Sequence, residues 1–246
     1  CADPAIPTGD GNLIWRAADL LGHVAVPRRK VPAGMRVRLV KRIPSQAGLG
    51  GGSADAAATL VALTRLWGLK LDLVDLACLA ARLGADVPFF LAGGTALGVG
   101  RGDDISPLAE PPTTAVVVAQ PPFGVSTPDA YRWFDSDGPP RRRPTRGAAV
   151  LQSWPPWAAR LCNDLEAPVV RRHPAIGRLV RALTALGADH AAMTGSGSAV
   201  FGLFLDPAAA ARAQATLAGR GVAALHTTTH SRVALARQLR RLLAAG

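Results

Sequence analysis

Pro44-Ser45-Gln46-Ala47-Gly48-Leu49-Gly50-Gly51-Gly52-Ser53-Ala54-Asp55-Ala56-Ala57-Ala58 is a glycine loop that runs straight into an alanine-rich helix. Glycine has no Cβ, so the backbone approaches an anion closely and takes positive φ without strain. Successive amide N–H groups then converge on one concavity. The helix that follows adds unpaired N–H groups and the positive end of its dipole. A triphosphate suits that geometry. Upstream, Met35, Val37 and Leu39 alternate with Arg36 and Arg38, which predicts a half-buried strand running into Lys41, Arg42 and Ile43. Downstream, Ala56, Leu60, Leu63 and Trp67 keep a helical spacing until Gly68 stops it. Two common phosphate motifs are excluded. No lysine follows the loop as GxxxxGK[ST] requires. GxGxxG is matched only loosely, and no acidic residue lies about 20 positions on after a strand.

Outward from this stretch, Asn12 to Val24 has helical spacing. A further helix starts at Asp72, an N-cap with Asp75 three residues on, and carries Leu73, Leu76, Leu79, Ala80 and Leu83 on one face before Gly84. Three prolines between Ser106 and Thr113 mark a boundary, giving domains 1–110 and 111–246. The second half predicts a strand over Ala115–Ala119, a helix over Ile176–Leu186 and a strand over His190–Thr194. After the turn Gly195-Ser196-Gly197-Ser198 come a strand to Leu205, a helix from Pro207, a strand over Val222–Thr228 and a last helix over Arg232–Ala245. Counted as β-α-β-β-α-β, this is the ferredoxin-like split arrangement. The fold class is α+β.

The 246 residues are 49% hydrophobic and 18% charged, a globular balance. No apolar run reaches the ~18 residues of a membrane span, and no signal segment is present, so the expected location is cytoplasmic. The net charge of +11 raises the prospect of a polyanionic partner. The arginines are scattered apart from Arg141-Arg142-Arg143 and aromatic residues make up only 5%, so no nucleic-acid partner is expected. Cys1, Cys78 and Cys162 have no metal or disulfide spacing, and Cys78 is expected as a buried small hydrophobe. His226 and His230 stand four apart but lack the glutamate of a zinc motif. The oligomeric state is left open between monomer and homodimer.

The stretch Pro44 to Ala58 resembles motif 2 of the GHMP kinases, in which the loop wraps the phosphates of ATP. Four other stretches match the family in order: Asp10-Gly11-Asn12-Leu13-Ile14, Gly84-Ala85-Asp86-Val87-Pro88-Phe89-Phe90, Asn163-Asp164-Leu165-Glu166 and Met193-Thr194-Gly195-Ser196-Gly197-Ser198. Within the family they are most similar to the branch that phosphorylates the 2-hydroxyl of a cytidine-diphosphate-linked methylerythritol. Another member such as a homoserine kinase, or an inactive fragment that only binds, stays open.

The resemblance implies a two-domain fold, a truncated N-terminal domain like ribosomal protein S5 and a ferredoxin-like C-terminal domain, with ATP and Mg2+ bound. It implies that Asp86 is the catalytic carboxylate, with a helix N-cap as its plain alternative. Pro44, Ala47, Gly48, Leu49, Gly50, Gly51, Gly52 and Ser53 are implied to hold the nucleotide, with Asn12 and Lys41 near the adenine. Ser53 is also implied to reach magnesium, with a plain N-cap as its alternative. Thr127, Pro128 and Tyr131 resemble the segment beside the cytidine, and Thr194, Gly195, Ser196 and Gly197 are implied to face the substrate. Asn163 to Glu166 are expected as structural support, and Asp55 is given no catalytic role. The family has two or more strands before the Asn12 helix. They carry a Pro-x-Lys-x-Asn-Leu motif and a Gly-Tyr-His segment that this sequence does not contain. The expectation is an exposed sheet edge and weak or no activity for the chain as it stands.

Overall fold

The computed structural model describes residues 6–25, 35–138 and 161–244. The contacts divide the chain into two compact units: residues 1–43, 50–110 and 230–246 in the first, and residues 44–49 and 111–229 in the second.

The first unit is mainly helical. Asn12 starts α1 (Leu13–Ala25) by accepting the Ile14 N–H at 2.9 Å, and Ile14, Ala17 and Leu21 turn inward at helical spacing. α2 (Gly51–Leu66) buries Ala56, Ala57, Leu60, Val61 and Leu63. Its alanines let α1 pack closely along it. α3 (Leu73–Leu83) opens with a reciprocal capping box between Asp72 and Asp75. The short α4 (Phe89–Ala92) and the C-terminal α9 (Arg232–Ala244) close the core through Leu91 and Leu239. Leu60 is fully buried in this cluster, so Leu60→Ala costs about 3 kcal/mol, from lost transfer energy and the cavity left behind.

The glycine-rich stretch after α4 is a hairpin, β1 (Ala96–Val99) paired antiparallel with β2 (Asp104–Pro107). Positive φ at Gly100 and Gly102 makes its turn. The strand expected over Met35–Leu39 is not formed: residues 35–40 pair with no strand among the described residues, and Met35, Val37 and Val40 stay exposed. Alternation prepares a face, but a ladder also needs a neighbour to receive its N–H and C=O groups. Cys78 is exposed as well. The buried stripe of α3 runs Leu76, Leu79, Ala80, Leu83, which puts position 78 on the opposite side.

The second unit holds a four-stranded antiparallel sheet ordered β4-β5-β3-β6, from β3 (Ala115–Gln120), β4 (His190–Met193), β5 (Val200–Phe204) and β6 (Ala223–Thr228). That is the ferredoxin-like order. Ala115, Val117 and Ala119 are buried while their alternates are half-buried. α7 (Pro174–Ala185) packs against β4 and β5, and α8 (Pro207–Gly219) against β3 and β6. Ile176, Leu183, Phe204, Ala213 and Leu217 fill the core between them. Most boundaries lie within one or two residues of the expected ones, and α8 starts at Pro207 as expected, capped by Asp206, which accepts the Ala208 N–H at 2.8 Å.

Among the described residues, two helices lie between β3 and α7, α5 (Thr127–Asp137) and α6 (Glu166–Arg172). They are joined by Arg171 and Arg172 on Asp137, and Arg172 stacks 5.3 Å above the Trp133 ring. The two guanidiniums hold the Asp137 carboxyl far below the ordinary carboxylate range. Cys1 and Arg141-Arg142-Arg143 lie outside the described residues.

Candidate active site

In the first unit the site begins where α2 begins. Gly50 is the N-cap, at φ 65° and ψ 16°, and offers no side-chain cap. The first helical bond runs from Ala54 N–H to Gly50 C=O at 2.9 Å. The N–H groups of Gly51, Gly52 and Ser53 therefore precede the helical ladder and lie at the positive end of the dipole. Ser53 is the third residue of α2, which excludes the plain N-cap alternative. Gly50 is required by packing too: a Cβ there would stand 2.5 Å from Cζ of Phe90.

Phe90 follows the turn that carries Asp86. That turn spans residues 85–88, between α3 and α4. Val87 is fully buried while the Asp86 side chain is exposed. The N-cap of α4 is Pro88, so Asp86 is not held as a cap and its carboxylate is free of that duty. Asn12 spends its side chain on α1, donating to Pro7 C=O at 2.8 Å and accepting from Ile14. Lys41 is ion-paired with Asp55, with 11% of its side chain exposed.

In the second unit the other half of the glycine stretch, residues 44–49, is stitched to the turn between β4 and β5. Gln46 C=O accepts from Val125 N–H at 2.9 Å and Ser198 N–H at 3.3 Å. Ala47, which is buried, accepts from Ala199 N–H at 3.0 Å, and Gly48 C=O accepts from Thr194 Oγ1 at 2.9 Å. Thr127 and Ser196 share a hydroxyl hydrogen bond of 2.8 Å. Tyr131 lies one turn beyond Thr127 on α5 and is exposed. The segments beginning at Pro44, Thr127 and Thr194 are thus brought together.

Asn163 to Glu166 support this wall, as expected. Asn163 Nδ2 donates to Met193 C=O at 2.9 Å and Gly195 C=O at 2.7 Å, and Glu166 accepts from Met193 N–H at 2.7 Å. Beside them burial pulls the His190 imidazole below its ordinary pKa, against the charge of Glu166.

Sequence reasoning missed two residues. Gln46 adopts φ 55°, and a non-glycine side chain at a positive φ leaves no trace in the sequence. Asp55 is visible there only as an acid near a helix start; its partner is not. Phe90 also lines an apolar groove of about 740 Å3 with Ala54, Ala58, Leu66, Leu235 and Leu239, and that groove contains none of the expected site residues.

A helix start whose first N–H groups precede the helical ladder, with an exposed carboxylate on a turn in the same unit, is equipped to bind a polyphosphate and orient an attacking hydroxyl. The sequence model of the GHMP kinases N terminal domain matches residues 12–94, and that of the GHMP kinases C terminal domain residues 146–223. The chain belongs to the GHMP kinases, a family of small-molecule kinases that use ATP as phosphate donor. Within that family it is 42% identical over 237 residues to the 4-diphosphocytidyl-2-C-methyl-D-erythritol kinase of Synechococcus sp. (strain JA-2-3B'a(2-13)), covering 88% of this chain and 73% of the relative. It is also similar to a crystal structure of 4-(cytidine 5'-diphospho)-2C-methyl-D-erythritol kinase, with a TM-score of 0.70 and 39% identity over 90% of this chain and 79% of that one. A homoserine kinase from Cytophaga hutchinsonii ATCC 33406 superposes with a TM-score of 0.71 at 19% identity, covering 93% and 79%, which is a likeness of fold.

Proposed function

We propose that this chain transfers the γ-phosphoryl group of ATP to the 2-hydroxyl of 4-diphosphocytidyl-2-C-methyl-D-erythritol, a step of non-mevalonate isoprenoid synthesis, giving the 2-phosphate and ADP. The observation that carries the reading is the capless start of α2, where Gly50 packs on Phe90 four residues after Asp86. Relatives at about 40% identity that bear this kinase name support the substrate.

The unit of residues 1–43, 50–110 and 230–246 would serve as the ATP-binding domain, in place of the expected 1–110, and that of residues 44–49 and 111–229 as its partner domain. The N–H groups of Gly51, Gly52 and Ser53 bind phosphate oxygens, and Pro44 to Leu49 shape the loop. Ser53 is half-buried in the first turn of α2. Its hydroxyl is a hard oxygen donor of the kind magnesium takes, and magnesium held there would supply charge neutralisation. Asp86 orients the substrate hydroxyl and accepts its proton. Thr127, Tyr131 and the turn from Thr194 to Gly197 bind the cytidine diphosphate end, Tyr131 by stacking its ring on the base.

The test is substrate-dependent ADP release from Mg-ATP. Asp86→Asn is expected to lower kcat by about 100-fold or more while leaving the melting temperature unchanged, because Asp86 is exposed. ADP release with homoserine but not with the cytidine diphosphate substrate would overturn the substrate, and full activity in Asp86→Asn would overturn the role of that residue.

A further inference from the structure

His173 stands at the corner where α6 gives way to α7. Its N–H donates to Val169 C=O at 2.8 Å and its C=O accepts from Ile176 N–H at 3.0 Å, and Pro174 fixes the backbone that follows. From this braced corner the imidazole stacks on Phe123, with centroids 5.1 Å and planes 28° apart, and meets Trp133 at 5.6 Å and 48°. Phe123 lies on the chain entering α5 and Trp133 in the second turn of that helix, so one ring braces α5 both before its start and beyond its first turn. The entry is also tied to the turn between β4 and β5: Phe123 C=O accepts from Ser198 Oγ, and Thr127 shares its hydroxyl bond with Ser196. Ala130, Trp133 and Asp137 fall on one face of α5. Ala130 is buried, Trp133 carries the Arg172 guanidinium and Asp137 pairs with Arg171 and Arg172. The helix is held along that face, and Tyr131, off it, stays exposed.

We propose that His173 is a positioning residue for the phosphate acceptor: its ring, wedged between Phe123 and Trp133, sets the angle of α5 against the turn between β4 and β5, and with it where Thr127 and Tyr131 stand. The proposal rests on the kinase reading, which gives Thr127 and Tyr131 to the cytidine diphosphate end, and deepens it by naming what fixes them. Both centroid separations lie in the range where aromatic pairs attract beyond the area they bury. A tyrosine that stacks on a base binds better when its helix is set before the ligand arrives, because that ordering is then not charged to binding. The faces of the imidazole make these contacts, so a ring of another kind should serve in its place.

Tyr131 is the single tyrosine of the chain, so a 13C-labelled tyrosine ring gives one NMR signal that reports α5 directly. That signal is followed without ligand and during titration with 4-diphosphocytidyl-2-C-methyl-D-erythritol, and Mg-ATP binding is measured separately by calorimetry. His173→Ala is expected to broaden the ligand-free Tyr131 signal and to weaken binding of the cytidine diphosphate substrate about fivefold, with Mg-ATP affinity unchanged. His173→Phe keeps a stacking ring and should restore the signal and bring the affinity to within about twofold of the parent. Trp133→Leu removes the same contact from the α5 side; it should give the same loss, and it carries the test if His173→Ala does not fold.

A Tyr131 signal and a substrate affinity equal to the parent's in His173→Ala would overturn the proposal, because His173 would then only fill space. Weakening of substrate and Mg-ATP by the same factor would overturn it as well, since a general loosening of the fold does that. So would a folded His173→Phe that binds as poorly as His173→Ala, because a ring would not be what acts. A parent that responds to the substrate, with variants that bind it alike, loses this proposal alone, whereas a parent whose Tyr131 signal ignores the substrate loses the substrate reading with it.

Discussion

Gly48→Ala tests whether the glycine loop is held as described. Gly48 has φ 71°, and a Cβ there would stand 2.1 Å from Thr194 C=O, 2.9 Å from Gly197 N and 3.0 Å from Gly197 C=O. All three are backbone atoms, so no side-chain rotation relieves the clash. A left-handed conformation costs an alanine about 1–2 kcal/mol. Moving the loop away gives up the bond from Thr194 Oγ1 to Gly48 C=O and the one from Ala199 N–H to Ala47 C=O, at about 1 kcal/mol each. The expected loss is therefore about 3–4 kcal/mol, or a melting temperature lower by about 10 °C.

Gly221→Ala is the control. It lies in the same unit at φ 76° with nothing within 4 Å of its Cβ position, so it carries the conformational cost alone, about 1–2 kcal/mol. Urea denaturation of the two variants reads the difference directly. If they lose the same stability to within about 0.5 kcal/mol, the loop is not packed against the Thr194 turn and the description of this half of the site is wrong.

Three further outcomes are expected. Asn163→Ala removes both bonds to the Met193 and Gly195 carbonyls, costing about 2 kcal/mol and raising KM for the phosphate acceptor more than for ATP, read by denaturation and steady-state kinetics. Asp137→Asn removes the acceptor of Arg171 and Arg172; because the folded pKa is depressed, the contribution is fully present above the ordinary value of 3.8 and is lost only as pH falls towards the folded value. The melting-temperature gap to the parent should then be flat from about pH 8 to about pH 5, and a gap that closes near neutrality would contradict the assignment. His190 has its folded pKa lowered by burial, so the unfolded chain binds the proton first and the parent loses stability as pH falls below the ordinary 6.5; His190→Phe should show a shallower decline in melting temperature over the same range.

The sheet of the second unit was readable because β3 and β5 are short apolar runs bounded by a proline, a glycine turn or a capping aspartate, and Val117 and Ala119 face the core at the spacing the run predicts. The glycine stretch was readable as a phosphate loop because glycine at positions 48 and 50 has a backbone reason, positive φ, that its residue type announces. The way that stretch is shared was not readable. Its first half bonds to Val125, Thr194, Ser198 and Ala199, while from Gly50 onward it belongs to the unit of α1 and α3. Those partners lie between about 75 and 150 positions along the chain, and no local pattern encodes a bond across such a separation.

Met35 to Ile43 shows why the same limit produced an error. Periodicity predicts which face a strand would bury, and it is silent on whether a neighbouring strand is there to complete the ladder. Residues 35–40 have the alternation and no described strand beside them, so Met35, Val37 and Val40 remain in solvent. Residues 41–43 find a different neighbour, the first turn of α2, and what secures them is an ion pair and the missing side chain of Gly51. Adding a methyl group at that position separates the two influences. Gly51→Ala brings its Cβ within 2.8 Å of Cγ2 of Ile43 and 3.2 Å of Lys41 Nζ, yet it favours the helix itself by about 1 kcal/mol. If helix propensity governed this junction, the variant would be more stable than the parent. Because packing governs it, the expected result is a lower melting temperature together with faster amide exchange confined to residues 41–43, measured by hydrogen-deuterium exchange; a stabilised variant with unchanged exchange would mean that the segment does not lie across α2.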